Sequence, residues 1–296
     1  MNLEAGFIGL GSMGLPMAQN LLAAGGVKLK VFNRTAAKAQ PLTAKGATLA
    51  PSHADAATPG GIVLTMLADD AAVESMVMGE GGIAARLAPG GIHVSMSTIA
   101  PSTARRMAQY HAERGSIYVA SPVFGRPDAA AARQLVICTS GPAAAKERVR
   151  PLQEITGRAI YDYGEEPGAA NVVKVAGNFL IAAALEAMAE AFTIAERNGI
   201  DRVKVADMLG KTLFACPVYQ GYGDMIAAKR HTPAGFKLSL GLKDLELALK
   251  TATEARVPVP VAALVHERMV AGLAHGREAM DWSALALGVL DDAAIK

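Results

Sequence analysis

A short apolar run near the start of the chain ends in Gly9-Leu10-Gly11-Ser12-Met13-Gly14 and passes at once into a helix-compatible segment. Glycines at that spacing suit a phosphate cradle. One permits the tight turn, the next lets backbone approach a pyrophosphate, and the third lets helix pack on strand. The helix N-terminus adds amide donors and a partial positive charge. A second β-rich run, about twenty residues on, ends in Asn33-Arg34-Thr35. A site for NAD usually carries Asp or Glu there, whereas Arg accommodates a 2′-phosphate through charge-assisted, forked hydrogen bonds. Thr35 and Lys38 add a hydroxyl and a second positive charge. Residues Leu10, Ser12, Met13 and Asn33 complete the expected cofactor contacts, and NADP(H) is expected ahead of NAD(H).

Further along, Lys174 and Asn178 lie four residues apart in an otherwise apolar helical segment. That spacing puts both on one helix face, within joint reach of one small molecule. A snorkelling surface lysine beside a solvated Asn would share the same spacing. Other chemistries find less support. Cys138 and Cys216 are only two and far apart, which argues against a disulfide framework or a four-ligand zinc site and for a reducing, cytoplasmic setting. The six histidines, His93 and His231 among them, show no metal-like pairing and are read as structural. A net charge of +2 announces no nucleic-acid surface. No signal peptide is read at Met1-Asn2-Leu3-Glu4, and the apolar segment Phe179 to Leu185, flanked by Lys174 and Glu186, is read as too short for a membrane span.

The elements that must position these groups follow two rhythms. Up to about Gly164, β-rich runs alternate with Ala-rich helical stretches. The runs are Gly6–Leu10, Val27–Asn33, Ile62–Leu67, Ile92–Ser97, Ile117–Val123, Leu135–Ser140 and Ala159–Tyr163; Leu15–Ala24 and Ala71–Met78 show helical patterning. Strands alternating with helices imply a mainly parallel sheet covered on both faces, the doubly wound α/β class. From Gly168 to Asn198 the chain runs without proline, rich in Ala, Leu and Glu, and stops at Asn198-Gly199. Helical patterns then cover Val203–Leu213, Leu238–Ala255, Val261–Ala274 and Ser283–Asp291. The expected architecture is an N-terminal Rossmann domain over residues 1–165 and an all-α domain over 166–296, joined by one long interdomain helix.

With these features in place, the sequence resembles the β-hydroxyacid dehydrogenase family, relatives of 6-phosphogluconate dehydrogenase, over essentially its whole length. The first mark is Phe7-Ile8-Gly9-Leu10-Gly11-Ser12-Met13-Gly14-Leu15-Pro16-Met17-Ala18. Met66-Leu67 matches the strand end that lines the cofactor, and Ser95-Met96-Ser97-Thr98-Ile99-Ala100-Pro101 resembles the Ser-Thr-Ile-x-Pro loop. The resemblance implies that Thr98 lies near the nicotinamide and that Ser97 meets substrate. The segment Gly168 to Asn178 resembles the catalytic stretch, which implies Lys174 as general acid and base and Asn178 as its partner. Leu242-Lys243-Asp244-Leu245 resembles the segment whose lysine contacts the cofactor, at Lys243. The implied activity is reversible hydride transfer between NADP(H), or NAD(H), and a small hydroxyacid or semialdehyde, in a homo-oligomer. Asp281 or Ser283 is expected to cap a helix, and Trp282 to serve packing.

One loop departs from the family pattern. Where the family commonly reads Pro-Val-Ser-Gly-Gly at the substrate carboxylate, this chain has Pro122-Val123-Phe124-Gly125-Arg126-Pro127. Phe124, Gly125 and Arg126 are expected to face substrate. Arg126 could fork onto an anion, and Phe124 could equally roof an apolar pocket for a bulkier aldehyde. Phe214, Tyr219 and Tyr222 could line the pocket or belong to the core. Two rivals stand beside the main reading. An imine reductase resembles this fold, although such enzymes typically lack the lysine found here at Lys174. A dinucleotide-binding protein without catalysis is the other.

Overall fold

The computed structural model describes residues 3–79 and 81–295. The chain divides into two compact units, Met1–Lys174 and Val175–Lys296.

The first unit is built on strands β1 (Leu3–Ile8), β2 (Val27–Phe32), β3 (Thr48–Leu49), β4 (Ile62–Thr65), β5 (Ile92–Ser95) and β6 (Ile117–Ala120). They form one sheet in the order β3-β2-β1-β4-β5-β6 with every pairing parallel. Parallel strands need crossover connections. Helices α1 (Gly14–Ala23), α2 (Gln40–Thr43), α3 (Asp70–Val77), α4 (Ile83–Leu87) and α5 (Pro101–Ala112) lie within them. The two-residue period of β1 and β4 serves two cores at once. Phe7 and Leu64 join Met17 and Leu21 of α1, whereas Ile8 and Val63 join Val73 of α3, Leu87 of α4 and Met107 of α5. Each fully buried side chain of this size contributes about 1.5–3 kcal/mol. The sheet is therefore covered on both faces, the doubly wound α/β arrangement read from the alternating runs.

Two of the expected strands belong elsewhere. The chain continues through β7 (Val123–Phe124), α6 (Pro127–Ala131), β8 (Leu135–Thr139), α7 (Ala143–Thr156) and β9 (Gly157–Asp162). β7, β8 and β9 form a separate three-stranded sheet, antiparallel between β7 and β8 and parallel between β8 and β9. The run Ile117–Val123, expected as one strand, splits at Ser121-Pro122, because proline has no N–H to give a continuing ladder. Strand periodicity reveals pairing partners poorly, so the runs at Leu135 and Ala159 looked like members of the main sheet.

The second unit is helical. Helix α8 (Ala169–Arg197) is followed by α9 (Arg202–Lys211), α10 (Pro217–Ala227), α11 (Leu238–Glu254), α12 (Pro260–Ala274) and α13 (Ala286–Asp292). Ala182, Leu185, Ala189 and Phe192 of α8 recur at three- and four-residue steps and pack into a core with Ile226, Leu245, Val265, Met269 and Trp282. By length and composition α8 could cross a bilayer, contrary to the sequence expectation; part of its apolar surface supplies a protein core, a role that gives the same composition. Helix α10 was not anticipated, because its glycines and tyrosines blur the helical pattern.

Candidate active site

The glycine turn sits at the C-terminal end of β1, where strand order reverses between β2 and β4, the point at which open parallel sheets take ligands. Each glycine has its own geometry. Gly9 has φ +98°, and a Cβ there would strike the Met66 carbonyl. A Cβ on Gly14 would strike the Gly9 carbonyl, so α1 starts directly against the turn. Around Gly11 a Cβ would meet nothing within 4 Å, which leaves backbone approachable from outside. Helix α1 begins without a side-chain cap, although within its first turn the Leu15 amide already donates to the Gly11 carbonyl and Pro16 has no N–H.

Asn33 braces this turn. Its Oδ1 accepts from the Leu10 amide at 2.9 Å, while its Nδ2 donates to the Thr35 carbonyl at 3.0 Å. Arg34, Thr35 and Lys38 are exposed just beyond β2. A cleft of about 340 Å³ opens beside them, lined by Leu10, Gly11, Ser12, Lys38 and Gln40 together with Leu15, Ala37 and Pro41. Lys38 thus shares a cleft with the glycine turn, whereas Arg34 and Thr35 lie outside its lining. Met13, the residue preceding α1, packs against the core. The residues present suit a dinucleotide: glycines where backbone must come close, an uncapped helix start, and a lysine in the adjoining cleft.

Two further loops follow the neighbouring strands. Met66 and Leu67 follow β4, and the Leu67 amide donates to Ser97 Oγ at 2.8 Å. Ser97 is buried and ties this loop to the one after β5. Thr98 lies half-buried beside it, and the Ile99 carbonyl accepts from Asn171 Nδ2 at 3.3 Å. Asp70 Oδ1 accepts from the Ala100 amide. Asp70 and Asn171 went unnoticed in the sequence as braces of this loop, since each looked like an ordinary residue of a helical first turn.

Lys174 is buried near the start of α8, with 7% of its surface exposed. Its Nζ stands 4.1 Å from the centroid of the Phe124 ring. Cys138 of β8 is also close, close enough that the lysine charge opposes the rise that burial imposes on the thiol. Tyr163 hydrogen-bonds that thiol, and burial pushes its phenol up as well. After Phe124, Gly125 has φ +139°, and a Cβ there would strike Leu135. Arg126, half-buried, leads into α6. The structure therefore brings Phe124 and Lys174 together, a meeting that no local spacing announces.

In the second unit, Asn178 Nδ2 donates to Asp244 Oδ2 at 2.5 Å, and Lys243 pairs with the same carboxylate at 2.8 Å. Asp244 is almost fully buried. It joins two expected site residues that lie on different helices, α8 and α11. Its signal in the sequence was positional: Leu238, Gly241, Asp244 and Leu245 share the buried face of α11. The aromatic stretch divides. Tyr222 packs edge-on against Trp282 in the core, while Phe214 and Tyr219 stack on each other. Asp281 caps the short helical turn at Trp282 by accepting from the Ser283 amide. Among the described residues no cluster of His, Cys, Asp or Glu could hold a metal ion.

Residues 4–164 match the family model for the NAD-binding domain of 6-phosphogluconate dehydrogenase. Residues 168–288 match the model described as NAD-binding of NADP-dependent 3-hydroxyisobutyrate dehydrogenase. The chain is 43% identical over 283 residues to the uncharacterized oxidoreductase YfjR of Bacillus subtilis, covering 96% of this chain and 98% of that protein. It superposes on the 3-hydroxyisobutyrate dehydrogenase of Mycobacterium tuberculosis, solved with L-serine, with a TM-score of 0.86 at 26% identity, over 98% of this chain and 99% of the other. A reductive aminase of Aspergillus terreus, solved with NADPH and ethyl levulinate, gives a TM-score of 0.64 at 27% identity, over 96% and 98% of the two chains.

Proposed function

The chain belongs to the β-hydroxyacid dehydrogenase family and is an NAD(P)-dependent oxidoreductase of CH–OH groups, and from that premise we propose that Lys174 moves the proton while NADP(H) is the preferred cofactor. The observation that carries this reading is a lysine almost wholly withdrawn from water in the same unit as the glycine turn.

When bound, the nicotinamide supplies or accepts the hydride. Every other part of the work falls to the chain. Gly9, Gly11, Ser12 and Gly14 present backbone to the pyrophosphate, with α1 behind them. Arg34, Thr35 and Lys38 offer two cations and a hydroxyl to a ribose 2′-phosphate, and the lack of Asp or Glu at Asn33-Arg34 removes a repulsive carboxylate. Met66, Leu67 and Thr98 border the reactive ring, and Lys243 adds a cofactor contact by family resemblance. In the reducing direction the Lys174 ammonium donates a proton to the developing alkoxide. In the oxidising direction the neutral amine removes the hydroxyl proton. Burial favours such dual use by lowering the cost of the neutral form. Asn178, held by Asp244, orients the substrate or the lysine. Ser97, Phe124, Gly125 and Arg126 receive the rest of a small hydroxyacid or semialdehyde, with Arg126 on its acid group.

A second reading, reduction of an imine, is favoured by the likeness to the reductive aminase, and Lys174 weighs against it. The free cysteines Cys138 and Cys216 fit a cytoplasmic setting. Exposed Val172, Leu180 and Ile194 along α8 support assembly with a second copy. The test is a panel of glyoxylate, succinic semialdehyde, methylmalonate semialdehyde, tartronate semialdehyde and a cyclic imine, each with NADPH and NADH. Turnover of an aldehyde with NADPH, at a higher kcat/KM than with NADH, is expected. Turnover of the imine alone would overturn the reading.

A further inference from the structure

Phe124 departs from the family pattern, and the structure gives its ring a specific neighbour. The residue sits on β7, whose two residues pair with β8 through Val123 with Ile137 and Phe124 with Val136. Directly after it, Gly125 packs so tightly on Leu135 that a Cβ would not fit. The ring is therefore carried on backbone pinned from both ends. Its face takes the Lys174 Nζ at 4.1 Å. An ammonium drawn out of water loses hydration, and an aromatic face replaces part of it electrostatically. Unlike a carboxylate, the ring has no lone pair to occupy an N–H, so the contact leaves the ammonium able to donate elsewhere. The Cys138 thiol of β8 lies near it, and the Tyr163 phenol hydrogen-bonds that thiol. Burial raises both, so near neutral pH they stay protonated and add no negative charge.

We propose that Phe124 is a positioning residue whose ring face fixes the Lys174 amino group and holds it in the ammonium form. The proposal rests on Lys174 as the proton-moving group, and its test does not depend on turnover. Protein labelled with carbon-13 at lysine Cε gives one resonance per lysine, and Lys174→Arg identifies the one of interest. A ring 4.1 Å away should shift its Hε protons upfield of the other lysines. Phe124→Leu keeps bulk and burial but removes the π-face. It should abolish that shift and lower the titration midpoint of Lys174 by roughly half a unit to one and a half pH units, the size of a partly desolvated cation–π contact. Phe124→Tyr should restore both. Ordinary Hε shifts in the wild type, or an unmoved midpoint in Phe124→Leu, would overturn the proposal. Turnover by Lys174→Ala judges the catalytic reading separately: full activity there alongside the ring shift would remove the catalytic role and leave the contact standing.

Discussion

At the scale of single residues, the surroundings of Lys174 bear on the proton transfer proposed for it. Its neighbours include a ring face and a protonated thiol, and only 7% of its surface is exposed. Lys174→Ala should lower kcat by about 10²–10⁴-fold, the scale of a general acid–base group. The NADPH dissociation constant, followed by nucleotide fluorescence, should hardly change; a variant that keeps full turnover would end the mechanism. Arg34 stands at the other end of the same proposal. Charge-assisted hydrogen bonds contribute about 1.5–3 kcal/mol, so Arg34→Asp should weaken NADPH by about 10–100-fold and shift preference toward NADH. An unchanged ratio of the two cofactors, measured by calorimetric titration, would leave Lys38, which lines the cleft, as the better candidate.

At the scale of elements, the glycine turn and the strands beside it make separable predictions. Gly14 has no room for a Cβ, because the Gly9 carbonyl occupies that space. Gly14→Ala should therefore cost about 1–3 kcal/mol of stability through overpacking as well as nucleotide affinity. At Gly11, where a Cβ meets nothing, Gly11→Ala should leave the urea midpoint in place and weaken only the dinucleotide. Equal stability losses in both would show that the turn is not built as described. Under the sheet, β4, β5 and α5 bury a polar chain from Thr65 through His93 and His111 to Ser116, with links of 2.9, 3.0 and 2.8 Å. Burial holds the His93 imidazole well below its ordinary value and His111 at about 3, with the adjacent His111 ring adding to the first shift and the Arg114 guanidinium to the second. Both are neutral in the fold, whereas in the unfolded chain they take up protons below about pH 6.5. Unfolding thus binds protons, and stability falls as pH drops from about 6.5 toward 3, at up to about 1.4 kcal/mol per pH unit for each imidazole. In urea titrations, His111→Asn should be less stable than wild type at pH 7.5 but lose less between pH 7 and 5. His231, held at about 4 in the helical unit, adds a slope of its own that this substitution leaves untouched.

At the scale of the whole molecule, a ligand that binds only the folded chain stabilises it by mass action, by about 2.7 kcal/mol at a hundredfold excess over its dissociation constant, and so raises its melting temperature. NADPH should therefore raise Tm more than NADH at equal concentration; no shift with either would contradict nicotinamide binding. The doubly wound sheet and the helical second unit were legible in the chain because their signals are local: apolar residues every second or every third and fourth position, and glycines spaced for one turn. Lys174 and Asn178 were legible for the same reason, since a helix repeats its faces over four residues. What needed the folded chain were meetings between distant segments. The runs at Leu135 and Ala159 have strand periodicity whichever sheet they join, and only pairing put them with β7 in a second one. Asp244 is an ordinary acidic residue of α11 until Asn178, 66 positions earlier, donates to it. Phe124 read as a residue facing substrate, and packing set its ring against the Lys174 amino group. Spacing along a chain encodes which face a side chain shares, whereas the partner across a gap is chosen by how separate segments fill space together.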